Sequence, residues 1–186
     1  MLSAAEHAYN SAREIRDQCA IDKSLRQHVA FHDDAQTFDY LEGKVVSIIL
    51  AYTAIEAFVN ESIPEGFSYT RTKRDGSQEH LDKSAIERHV NMDEKLCTVL
   101  PCVLSCLSPK GSRCWQVYRQ LKEVRDRVVH MKMEDRKSSG LEVETIWKGL
   151  LVMPAPHVAA KGVIDHFVKA MENAPQWHER YAQRKK

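Results

Sequence analysis

Glycine and proline are scarce in this chain, seven and six among 186 residues. Architectures built from many strands and tight turns need those residues at each reversal, so their scarcity argues for helices. No apolar run reaches the ~18 residues of a membrane-spanning helix. The longest block, Val45 to Val59, is interrupted by Ser47, Thr53 and Glu56. The opening MLSAAEHAYN has no basic stretch followed by an apolar one, so no secretory signal is expected. The five cysteines then read as free thiols in a reducing, cytoplasmic setting. They include no C-x2-C pair, and Cys102 and Cys106 fall among leucines and valines as small apolar residues would, so no metal is expected. Glycine-rich phosphate loops and serine nucleophile elbows are missing as well, and no cofactor is expected. A net charge of +1 carries no message about partners, because a nearly neutral chain can still hold a basic patch.

What is present is helical periodicity. With 43% hydrophobic residues the chain is long enough for one domain, 1–186, with a proper core. Residues 3–29 form an amphipathic first helix, with Ala5, Ala8, Ala12, Ile15, Cys19 and Leu25 toward one side. A second helix is expected from about Ala35 to Ile63. Its stripe Leu41, Val45, Ile48, Tyr52, Ile55 and Val59 is widened by Val46, Ile49, Leu50, Ala57 and Phe58, the pattern of a central helix. A polar loop follows at about 64–82, with an Asp75-Gly76 turn signal and room for a short hairpin. Helical pattern resumes at 84–90 and from Asp93, a candidate cap, with Pro101 expected to kink or interrupt the run. A second polar loop is expected at about 134–157, within which 141–150 suits a short helix or strand. Val163, Ile164, Phe167, Val168 and Met171 mark a last helix at 158–171, and the tail from about 174 to 186 is either helical or frayed. The fold class expected is all-α, with four or five main helices.

The segment Trp115 to Met133, WQVYRQLKEVRDRVVHMKM, carries the chemistry. Around it, from Lys110 to Lys137, nine basic residues face four acids, a local excess of five in a nearly neutral chain. That excess is either a solvated helix face or an anion-binding surface. Arg125 and His130 stand five positions apart on it. A permanent cation suits a phosphate, and an imidazole, with an ordinary pKa of about 6.5, can give and take protons near neutral pH. Taking Val117, Leu121, Val124, Val128 and Met131 as the inward stripe places Trp115, Tyr118 and Val129 on the outer face. There they form either a second contact surface or ordinary packing under a neighbour. At about 100° per residue, Arg125 and His130 lie about 140° apart around the axis, so one straight helix cannot close both on a small ligand. A symmetric pair of copies could bring both sets to one cleft. Glu56 and Asn60, one turn apart on the second helix, either line that cleft or form a structural ridge.

Three segments together resemble the HEPN superfamily (higher eukaryotes and prokaryotes nucleotide-binding) of small all-helical proteins: AYTAIEAFVNE at 51–61, DEKL at 93–96, and LKEVRDRVVHMK at 121–132. The third matches the family's arginine, adjacent polar residue, spacer and histidine, and the three fall in the family's order. The resemblance implies a dimeric helical bundle and, in active members, a metal-independent endoribonuclease of toxin–antitoxin, antiphage or RNA-processing type. It places catalysis on Arg125, Asp126 and His130, with Asp126 orienting the histidine or the arginine unless it is simply an intrahelical partner. Arg119, Lys122 and Lys132 are expected substrate contacts, with Glu56 and Asn60 as further candidates. RNA, a second copy and a regulatory protein such as an antitoxin are the partners implied. Some family toxins carry a tyrosine two places after the histidine, a target of modification; here that place is Lys132. Other members keep the fold as non-catalytic adaptors, which is the alternative reading.

Overall fold

The computed structural model describes residues 1–19, 31–131, 149–151 and 153–184. It is mainly helical, so the all-α class is observed. The elements are α1 (Leu2–Gln18), α2 (Asp34–Ser62), β1 (Tyr69–Thr72), β2 (Gln78–Leu81), α3 (Lys83–His89), α4 (Met92–Glu94), a π-helical turn (Lys95–Val99), α5 (Leu100–Leu104), α6 (Arg113–Val129), α7 (Pro156–Val168) and α8 (Gln176–Gln183). No helix among the described residues is long and apolar enough to cross a membrane. The chain divides into two compact units, Met1–Ala54 with Gln116–Gly162, and Ile55–Trp115 with Val163–Lys186.

In the first unit, small residues let two helices approach closely. A Cβ on Gly43 of α2 would stand 3.0 Å from the Ala12 Cβ and 3.1 Å from the Ala8 carbonyl oxygen of α1. Ala5 and Ala12 are buried on that side of α1, and the Ser47 hydroxyl donates to the Ala5 carbonyl at 2.7 Å. Tyr40, Ile48, Ala51 and Tyr52 extend the core along α2. Its buried line also holds a lysine. Lys44 is 4% exposed, donates to the Met153 carbonyl at 3.0 Å, and lies 5.1 Å from the centre of the Tyr9 ring. Burial, reinforced by the Arg16 guanidinium, lowers its pKa from the ordinary 10.5 to about 8. His157 of α7, also buried, meets Tyr9 edge-on at 5.4 Å and stands 3.8 Å from the Glu6 carboxylate. The second expected loop therefore ends earlier than 157, since α7 begins at Pro156, where proline suits the first helical position.

The second unit opens with the last two turns of α2, whose Ile55, Phe58, Val59 and Ile63 are buried. The expected loop at 64–82 contains an antiparallel hairpin pairing Tyr69 with Leu81 and Thr72 with Gln78. Gly76 supplies the positive φ, +83°, that its turn requires. Arg71 joins Glu79 at 2.7 Å and Glu94 at 3.3 Å, and the Tyr69 hydroxyl donates to Glu94 at 3.0 Å. Burial together with that carboxylate pushes the Tyr69 pKa up to about 12. Side chains cap the helices that follow. Asp82 accepts from the Ala85 N–H, and Asn91, two residues before the expected Asp93, accepts from the Glu94 N–H.

Pro101 breaks the regularity of the run that contains it, as expected, by way of the turn before it. A proline ring collides with the carbonyl four residues back, and the wider π-helical turn at Lys95–Val99 sits where that collision would fall. The tail is helical and docked. Trp177 of α8 meets Phe58 edge-on at 6.3 Å, His178 pairs with Asp165 at 2.6 Å, and Tyr181 is buried.

Candidate active site

The chain enters α6 through Gly111, at φ +87°, and Ser112, whose hydroxyl accepts from the Trp115 N–H at 3.3 Å. The face that α6 buries differs from the one its aliphatic residues predict. Tyr118 and Leu121 are fully buried, Val117, Val124 and Val128 are half-buried to one side, and Met131 is 40% exposed. The inward line is thus Tyr118, Leu121, Arg125, spaced three and four apart and rotated from the expected seam. The aromatic contact explains the rotation. Tyr118 stacks on Tyr52 of α2, with ring centres 6.3 Å apart and planes 16° from parallel. The Arg125 guanidinium then lies over the Tyr52 ring, 4.4 Å from its centre. Of the two readings left open for Tyr118, packing under a neighbour is the one observed.

Arg125 is consequently a half-buried cation held on two sides. Its Nη1 donates to the Asp126 carboxylate at 2.8 Å, and a quarter of its side chain stays exposed, 25% against 42% for Asp126. Asp126 contacts the arginine, an arrangement common to orienting Arg125 and to simple intrahelical pairing. His130 follows the last residue of α6 and is exposed, while its backbone N–H still donates to the Asp126 carbonyl at 2.9 Å. That bond extends the helical hydrogen-bonding pattern to His130, for which ideal helix geometry gives a separation of about 140° from Arg125 around the axis. Arg125 lies over the Tyr52 ring, and His130 is exposed. Of the expected phosphate contacts, Arg119 is exposed and Lys122 half-buried on the same helix, whereas Lys132 lies outside the described residues.

Glu56 and Asn60 belong to the second unit, where they converge on a lysine. The Asn60 side-chain oxygen accepts from Lys95 Nζ at 3.0 Å, and the Glu87 carbonyl accepts from the same ammonium at 3.0 Å. Lys95 is 3% exposed. Burial lowers its pKa, and the negative charges of Glu87 and Glu56 act in the opposite direction. The ridge reading of the two α2 residues thus has a specific content, the accommodation of a buried ammonium. Sequence reasoning passed over Lys44, Lys95 and His157. A lysine on the apolar side of a strongly apolar helix is a signal for the first, and nothing in residue spacing marks the other two.

Among the described residues, no group of three or more His, Cys, Asp or Glu side chains is arranged to hold a metal ion, and all five cysteines are free. His166 Nε2 donates to the Leu107 carbonyl oxygen at 2.9 Å. His32 and His89 are exposed. Comparisons with family models, with curated proteins and with solved structures find no match to the chain.

Proposed function

We propose that this protein is a HEPN-type, metal-independent endoribonuclease that works as a pair of identical copies. The observation that carries the reading is the end of α6, where an exposed imidazole follows, within five residues, a fixed and partly exposed guanidinium. In the reaction, the 2′-oxygen of a ribose attacks the adjacent phosphorus, an O2′–P bond forms, and the P–O5′ bond breaks. One His130 removes the proton of the 2′-hydroxyl, and its counterpart in the other copy protonates the departing 5′-oxygen. Arg125 holds the phosphate and stabilises charge developing on its oxygens. The products are a 2′,3′-cyclic phosphate and a 5′-hydroxyl. Two copies are needed because a single helix directs Arg125 and His130 about 140° apart. The basic excess around α6 supplies sequence-independent attraction for the RNA backbone. A toxin or antiphage role, restrained by a regulatory protein, fits such an activity in a cytoplasmic setting.

The test is cleavage of single-stranded RNA by the purified protein in EDTA. Wild type cuts and leaves cyclic phosphate ends; His130→Ala and Arg125→Ala do not, at unchanged helicity by circular dichroism. Wild-type cleavage by both variants removes the catalytic assignment. One observation favours a second reading, a non-catalytic adaptor of the same fold. Arg125 is already engaged by Asp126 and by the Tyr52 ring, contacts that a purely structural arginine would also make. Absence of cleavage by wild type, with RNA or protein binding retained, selects that reading.

A further inference from the structure

We infer that Tyr52 is a positioning residue for Arg125: backed by Tyr118, its ring fixes the plane and place of the guanidinium that receives the RNA phosphate. The inference rests on the reading above and deepens it. An arginine on a free stem samples many rotamers and must be frozen each time it grips an anion. A guanidinium that is already oriented loses less freedom on binding. Here the orientation is imposed at two points. The guanidinium Cζ lies over the Tyr52 ring, 4.4 Å from its centre, where the negative π-face attracts the cation. Its Nη1 edge is bound to Asp126 at 2.8 Å.

The ring that does this is packed in the core. Tyr52 is 3% exposed, and the fully buried Tyr118 lies beside it in an offset, near-parallel contact, centres 6.3 Å apart and planes 16° apart. The three groups are contiguous, Tyr118 beside Tyr52 and Arg125 over the Tyr52 ring, with 25% of the arginine side chain reaching solvent. The arrangement also specifies arginine over lysine at this position. An ammonium keeps the charge but lacks the planar group that can lie on the ring and fork onto a phosphate at once. Tyr52 touches no reacting atom in this scheme; it acts through Arg125.

The experiment combines two measurements on the full chain. The first is the NMR position of the Arg125 side-chain Hε, assigned with Arg125→Lys. The second is the affinity for a short 2′-O-methyl RNA, which cannot be cleaved, by fluorescence anisotropy, with thermal melting in parallel. Wild type shows an Hε displaced upfield by the ring, and Tyr52→Phe keeps both that displacement and the affinity. Tyr52→Leu returns Hε to the position of an open arginine and weakens binding about tenfold, as does Arg125→Lys, which leaves the tyrosines untouched. An undisplaced Hε in wild type overturns the inference without any variant, so a Tyr52→Leu that fails to fold does not rescue it. Wild-type affinity in Tyr52→Leu or in Arg125→Lys overturns it too. A wild-type protein that binds the oligonucleotide but leaves unmodified RNA intact ends the nuclease reading alone, and the two measurements still decide the role of Tyr52.

Discussion

Replacing Lys44 with methionine removes a charge that the fold holds out of water, and the consequence has a sign, a size and a pH window. The Lys44 pKa is about 8 in the folded chain against 10.5 ordinarily, because burial, reinforced by Arg16, disfavours the ammonium. The unfolded chain therefore binds that proton more tightly. Stability is highest when the amine is neutral in both states, above 10.5. It declines as pH falls toward 8 and is flat below. The interval corresponds to about 3 kcal/mol. Methionine keeps the length and apolar stem of lysine but strands the Met153 carbonyl that accepts from Nζ, which costs about 1–2 kcal/mol. Lys44→Met should accordingly stabilise the protein at pH 7 by about 1–2 kcal/mol. Its stability curve should also lose the part of any rise above pH 8 that Lys44 contributes, while the contribution of Lys95, whose pKa burial also lowers, stays in both proteins. Tyr40, whose pKa burial raises, and Cys106, raised by the same cause, act in the opposite sense at alkaline pH. They are common to both proteins and cancel in the difference. Urea unfolding followed by circular dichroism at pH 7, 8, 9 and 10 measures it. A constant difference between the two proteins from pH 7 to 10 would show that Lys44 does not titrate in that window, and the reasoning would fail.

Three further outcomes follow from other contacts. Gly43→Ala gains about 1 kcal/mol of helix propensity. It must also place a methyl 3.1 Å from the immovable Ala8 carbonyl, so a net loss of about 1–2 kcal/mol is expected in urea unfolding, and a stabilised variant would refute the close approach of α1 and α2. Asn60→Ala takes an acceptor from the buried Lys95 ammonium and should cost about 2 kcal/mol without changing RNA affinity. Lost affinity at unchanged stability would return Asn60 to the binding site. Mixing wild type with excess inactive His130→Ala protein, after exchange of copies, should lower RNA cleavage below what dilution alone gives, because a shared cleft needs both histidines; activity that follows dilution alone would rule out sharing.

The helices were legible where one face is continuously apolar. The sequence places the second helix at about 35–63 and the structure at Asp34–Ser62, because Ile48, Ile55 and Val59 recur at helical spacing and Pro64 stops the run. The hairpin signal at Asp75-Gly76 and the disturbance around Pro101 were legible from residues whose backbone preferences are narrow. What failed was the rotation of α6. Its aliphatic seam is regular, yet the buried line runs through a tyrosine and an arginine, because ring stacking and a cation on a ring outweigh the burial of small valines. Apolar counting scores arginine as a surface residue and so cannot find that line. The buried lysines escaped for the same reason, since their tolerance depends on acceptors far off in the chain, Met153 for Lys44 and Asn60 for Lys95.

The first unit sets two cations over tyrosine faces, Lys44 above Tyr9 at 5.1 Å and Arg125 above Tyr52 at 4.4 Å, and the difference between them bears on function. The lysine is 4% exposed and its proton is loosened by burial, so it is poorly suited to hold an anion that must come and go. A guanidinium is more weakly hydrated and keeps its charge at every pH that a fold survives, so a ring can hold it partly out of water without loosening its charge. Arg125 retains a 25% exposed side chain in addition. Of the two arrangements, only the arginine combines fixed orientation, lasting charge and access. That combination is what a phosphate site requires, and it is why, under the proposed function, Arg125 rather than the more deeply buried lysine is the group offered to an RNA phosphate.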